Sequence, residues 1–148
     1  MREILSRDFV LTFISHFLFA LGFSCLLPTL PLYLSGIGFG DTRIGVLVGA
    51  FGIASLLLRP VSGIALQKFP HKHIMAAGCV CFMITMLALL FFKGFWPIFL
   101  VRIIQGAAFA LMTTASFALV VAISPPEKRG QSIAYFLNIL VVKVRKPL

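Results

Sequence analysis

Carboxylates are scarce in this sequence. Glu3, Asp8, Asp41 and Glu127 are the four acids among 148 residues, against thirteen lysines and arginines, and charged residues make up 11% of the chain where an ordinary soluble domain carries roughly 25%. Each acid sits at a chain end or between apolar runs. No Ser/His/Asp set, no Cys/His set and no metal-ligand cluster can be assembled from the pattern, so neither an enzyme nor a metal or cofactor site is expected. The three cysteines are equally uninformative. Cys79 and Cys81 are two apart, which on a helix points them roughly 200° apart, and Cys25 is alone, so a reduced, buried-thiol role is the default for all three.

What the sequence has instead is length without charge. Hydrophobic residues make up 60% of the chain and the mean hydropathy is +1.07. Phe9 to Leu34 and Ile74 to Phe92 carry no charge, and each exceeds the ~18 apolar residues that mark a bilayer-spanning helix. The bilayer is therefore the first partner. Nucleic acid is not one, although the net charge is +9 and the pI near 10.2, because the basic residues are scattered between apolar segments without interleaved aromatics. The sixteen phenylalanines fall almost wholly inside the oily runs and read as lipid-facing and packing groups. A cleaved signal peptide is disfavoured, since the first apolar run is much longer than a signal core and no A-x-A site follows it. Gly22-Phe23-Ser24-Cys25 departs from a lipoprotein box at the residues before the cysteine.

The pattern predicts an all-α polytopic bundle, with spans at about 9–34, 42–66, 74–92 and 95–123 and an interrupted fifth at about 126–142. Asp8 is the expected N-cap of the first helix, and Pro28 and Pro31 are expected to kink its far end. A glycine-rich turn, Ser35 to Gly40, precedes Asp41, whose carboxylate faces the first amides of the second helix; Gly36, Gly38 and Gly40 do not form G-x-G-x-x-G and follow no strand. Gly45, Gly49 and Gly52 share one face of the second helix at spacings that favour close helix packing in lipid. Gln67 to His73 is read as a basic loop. Ser124-Pro125-Pro126-Glu127 has the form of a capping box opening the fifth helix, whose oily part, Gln131 to Val142, is too short to finish a crossing.

Orientation follows from the short loops. With the N-terminus in the cytoplasm, Arg2, Arg7, Arg59, Lys68, Lys72, Lys128 and Arg129 fall at the inner surface and only Arg43 and Lys93 outside. The expected location is the cytoplasmic (inner) membrane. Tyr33 and Trp96 then lie near the outer interface.

Arg43 and Arg59 are assigned to the outer and inner ends of the second span, which leaves one charge read as embedded. Arg102 is seven residues beyond Phe95, roughly 10 Å below the outer end of its helix, where a guanidinium costs about 2–3 kcal/mol unless it snorkels or meets a partner. Gln105 and Gly106 follow at i+3 and i+4, placing an amide and a gap on the same face. No span carries a carboxylate for it. His16, two turns into the first helix, is the other embedded titratable candidate besides the thiols, and reads either as a packing residue or as a proton relay.

These residues resemble the major facilitator superfamily of secondary transporters. "LLPTLPLYL" (Leu26 to Leu34), "LRPVSG" (Leu58 to Gly63), "RIIQG" (Arg102 to Gly106) and "PPEKRG" (Pro125 to Gly130) stand in the family's order and at its approximate spacing. The resemblance covers about Leu5 to Leu137 and implies the N-terminal lobe of a twelve-helix protein in two six-helix lobes, with a small-molecule substrate held between them and alternating access by rocking. It also implies that the remaining helices, absent from this sequence, complete the cavity, on another chain if this one is a truncated product. "RIIQG" is similar to the family's motif B, whose arginine lines the cavity, so Arg102, Gln105, Gly106 and His16 are the substrate or coupling candidates. The loop from Gly63 resembles motif A, G-x-x-x-D-R-x-G-R-R, a cytoplasmic gate. Gly63, Lys68 and Lys72 keep its glycine and positive charge, whereas Gln67 replaces the acid and Pro70 the second glycine. The alternative is a small four-helix oligomeric exporter or a membrane interaction subunit, the former weakened by the absence of an acid from the first helix.

Overall fold

In a bilayer each backbone N–H and C=O must find its partner within the protein, and a long apolar segment does so by forming a helix. The computed structural model describes residues 7–124 and 126–134. Four long helices form: α1 (Arg7–Gly36), α2 (Asp41–Lys68), α3 (His71–Phe91) and α4 (Phe95–Ile123). A 3-10 turn, Pro126–Lys128, and helical residues 129–134 follow. No strand occurs among the described residues. Each long helix has the length and apolarity to cross a membrane. Of the expected fifth span, 135–142 lies outside the described residues.

The ends of the helices correct several local expectations. Asp8 lies within the first turn of α1, where its carboxylate accepts a hydrogen bond from Lys72. Asp41 likewise lies inside α2; Gly40 occupies the cap and no side chain caps the amides, so Asp41 acts on the helix dipole alone. α1 runs on through Pro28 and Pro31 to Gly36. Gly38 makes the turn into α2 at φ 94°, a conformation that favours glycine. The basic loop is almost all helix: Gln67 and Lys68 end α2, and α3 starts at His71, leaving Phe69 and Pro70 as the connection. The α3 start fits Pro70, whose fixed φ and missing N–H suit a helix entrance.

Hydroxyls inside the spans return their donors to their own helices. Thr12 donates to the Asp8 carbonyl at 2.7 Å, Thr29 to Cys25 at 2.7 Å, Ser62 to Leu58 at 2.8 Å and Ser116 to Met112 at 2.7 Å. No polar group in these turns is left to face hydrocarbon unsatisfied.

α4 is the central element. It packs along α2 on one side and α3 on the other, whereas α1 touches it lightly at the edge of the bundle. Two glycines set these approaches. A Cβ on Gly106 would lie 2.6 Å from the Phe51 carbonyl oxygen, and one on Gly78 would lie 2.8 Å from the Met112 nitrogen, so α2 and α3 each meet α4 backbone to backbone. Gly45, Gly49 and Gly52 are not the face on which α2 meets α4: nothing lies within 4 Å of a Cβ at any of them among the described residues. The turns of α2 that meet α4 carry Ile44, Leu47, Phe51, Ala54 and Ser55 inward, which turns the glycines outward.

Along the bundle axis the core is layered. Leu30, Leu34, Ile44, Leu47, Leu89, Ile98 and Val101 form the layer at the end where α1 turns into α2. Below it, Phe51, Phe82 and Ala108 are packed with Phe19, Phe23 and Phe109. Arg102 lies where the two layers meet.

Candidate functional site

One turn of α4 faces one turn of α2. Arg102 and Gly106 are four residues apart on α4, and Leu47 and Phe51 are four apart on α2, so the two pairs present matched faces. Because Gly106 carries no side chain, the Phe51 carbonyl approaches to van der Waals range, and the Arg102 side chain then lies within reach of α2. Its Nε donates to the Leu47 carbonyl at 3.3 Å and one Nη donates to Gln105 Oε1 at 2.5 Å. The guanidinium carbon stands 4.7 Å from the centre of the Phe51 ring. Arg102 is 2% exposed and Gln105 fully buried. The guanidinium does not snorkel; it is turned into the bundle.

Every partner Arg102 has there is neutral or aromatic. A cation over a desolvated ring gains about 2 kcal/mol, and hydrogen bonds to a carbonyl and an amide oxygen offset part of the desolvation, yet no negative charge balances it among the described residues. Arginine offers five N–H donors, and Gln105 Nε2 is buried with no acceptor among the described residues. The turn is thus a cluster of donors around a fixed positive charge.

His16 does not belong to it. The histidine is buried on α1 with its ring edge-on to Phe117 of α4, centroids 5.8 Å apart. Phe117 is fifteen residues along α4 from Arg102, roughly 22 Å away, so the two titratable candidates occupy different depths. The motif A positions lie at the far end. Gly63 has open space around it, Gln67 and Lys68 are exposed on the last turn of α2, and Lys72 on the first turn of α3 pairs with Asp8 at 3.1 Å. The carboxylate at this corner among the described residues is that of Asp8 on α1.

Sequence reasoning missed the α2 partners, Leu47 and Phe51, and the packing role of Gly78. A signal for Gly78 was present: Ala76-Ala77-Gly78 is a small-residue patch in an otherwise bulky helix. Nothing in the sequence marked Leu47, since it contributes a backbone oxygen. The thiols also differ from expectation, with Cys25 exposed on α1 and Cys79 and Cys81 half-buried on α3. No group of three or more His, Cys, Asp or Glu that could hold a metal occurs among the described residues.

Comparison with known sequences decides the family. The Major Facilitator Superfamily profile matches residues 12–140. The chain belongs to this superfamily. It is similar to the quinolone resistance protein NorA of Staphylococcus aureus, 24% identical over 136 residues that cover 92% of this chain and 35% of that protein. It is also similar to the multi-drug resistance efflux pump PmrA of Streptococcus pneumoniae, 28% identical over 123 residues that cover 80% of this chain and 30% of the pump. The chain spans about a third of the length of these relatives. As a superfamily member with four spanning helices it is an integral membrane protein, and the four-helix exporter alternative loses its footing.

Proposed function

We propose that this chain supplies the first helices of the N-terminal lobe of a secondary transporter that exports small, drug-like molecules across the cytoplasmic membrane, its N-terminus in the cytoplasm. The observation that carries the reading is the inward-turned Arg102. A cation held 2% exposed, on neutral partners, with a neighbouring amide donor left over, is not a lipid anchor. In a transporter of this family the same turn meets the substrate path, and a substrate carboxylate or an acid on the remaining helices provides the missing charge. Efflux as the direction comes from what the two relatives are named for, a quinolone resistance protein and a multi-drug efflux pump. Gln67, Lys68 and Lys72 form the inner gate corner, with Asp8 as the carboxylate.

The test uses cells stripped of their own exporters. The chain is expressed with the coding sequence that follows the Leu148 codon in its genome, and accumulation of a fluorescent quinolone is followed with and without a membrane potential. Lower, gradient-dependent accumulation than in empty-vector cells is expected. Equal accumulation at verified membrane expression would overturn drug export.

A further inference from the structure

The geometry points to Phe51 as a positioning residue that ties the Arg102 charge to helix α1. Its ring has two neighbours of different kind. The Arg102 guanidinium carbon stands 4.7 Å from the ring centre. The Phe23 ring of α1 is stacked with it at 5.4 Å, planes 28° apart. Phe109 of α4 meets Phe51 edge-on at 5.5 Å and Phe23 at 4.6 Å, closing a three-ring cluster across α1, α2 and α4. Phe51 therefore touches both the buried cation and an aromatic ring of α1.

α1 is the helix most able to respond, because its backbone comes close to α4 and α2 at few positions and it shows Leu11, Ile14, Leu18, Leu21, Leu27 and Leu32 at its surface. The Phe51 backbone, by contrast, is pinned where Gly106 lets α2 meet α4. The backbone of Phe51 fixes one end of the device and its ring is the moving part. When an anion draws the guanidinium off the ring, the quadrupole loses its cation, and the ring is free to repack against Phe23. The position of α1 then depends on whether Arg102 has a counter-charge. This rests on Arg102 being a transport residue; the test below involves no transport, so its failure is distinct from failure of that reading.

The 148-residue chain is placed in lipid nanodiscs with Cys79 and Cys81 replaced by alanine and a trifluoromethyl label on Cys25, which is exposed on α1 two residues from Phe23. Arg102→Met, similar in length but uncharged, is expected to displace the fluorine resonance by more than its linewidth. With Phe51→Leu present the same substitution is expected to displace it by less than half as much, a non-additivity that separates coupling from two independent effects. Phenylalanine, 4-fluoro- and 3,4,5-trifluorophenylalanine at position 51 keep the ring's shape while weakening its quadrupole, so the displacement should shrink along that series; the series alone decides if Phe51→Leu fails to fold. An unmoved resonance in Arg102→Met overturns the proposal. So does an equal displacement with Phe51→Leu, or a displacement that ignores fluorination.

Discussion

A methyl group on Gly106 would sit 2.6 Å from the Phe51 carbonyl oxygen and 2.9 Å from Ala54 Cβ, and both belong to parts of α2 that cannot swing away as a flexible side chain could. Gly106→Ala should therefore destabilise the bundle by about 1–3 kcal/mol and lower its melting temperature in detergent. Gly49→Ala is the control: open space surrounds it, so the change should be neutral or raise stability by up to about 1 kcal/mol through helix propensity. Equal losses at both positions would contradict the assignment of the α2–α4 approach to Gly106. At this scale the sequence showed which turn of α4 mattered, because a charge in an oily run is visible as a letter. It did not show what that charge touches, since a backbone oxygen of Leu47 and a ring on another helix leave no mark in the pattern of α4. The glycine face of α2 shows the same limit: spacing gives the face that small residues share, and only the inward positions of Leu47, Phe51 and Ala54 say that it points away from α4.

At the scale of elements, the four spans were legible because long, nearly uncharged apolar runs specify them, and the structure extends α1 and α2 by one or two residues at each end, starts α3 earlier and leaves α4 at its expected bounds. α3 begins at His71, three residues before the uncharged run, since lysine and histidine are tolerated in a first turn at a water interface. The tether between α1 and α3 was not legible. Asp8 and Lys72 are 64 residues apart, and only the antiparallel return of the chain brings them to one end of the bundle. Their side chains are 53% and 60% exposed, so the pair is worth less than about 1 kcal/mol and is screened by salt. Asp8→Asn and Lys72→Gln should each change stability by no more than that, and the double variant should match either single one. A larger loss in the singles, recovered in Asp8→Lys with Lys72→Asp, would show a stronger tether than exposure allows.

For the whole molecule, the proposed orientation rests on the distribution of basic residues. A phosphatase reporter, active only when exported, should report an external position when fused after Lys93, in the turn between α3 and α4, and an internal one when fused after Phe69, in the connection between α2 and α3. The reverse pattern would overturn the orientation. Family membership was legible because several short motifs recur in order, and the profile match over residues 12–140 agrees with it. The direction and chemistry of transport were not legible, since they depend on a cavity that a third of a transporter's length does not enclose. What this chain does hold is a buried arginine with neutral partners, and its importance for the proposed export is open to one direct measurement. In the transporter that carries this segment, the efflux rate of a fluorescent quinolone is compared for wild type, Arg102→Lys and Arg102→Ala at matched membrane levels. Arg102→Ala should fall at least tenfold with insertion intact, and Arg102→Lys, a charge without the forked donors, should fall in between. Efflux by Arg102→Ala within twofold of wild type would contradict the reading and reduce Arg102 to a packing residue.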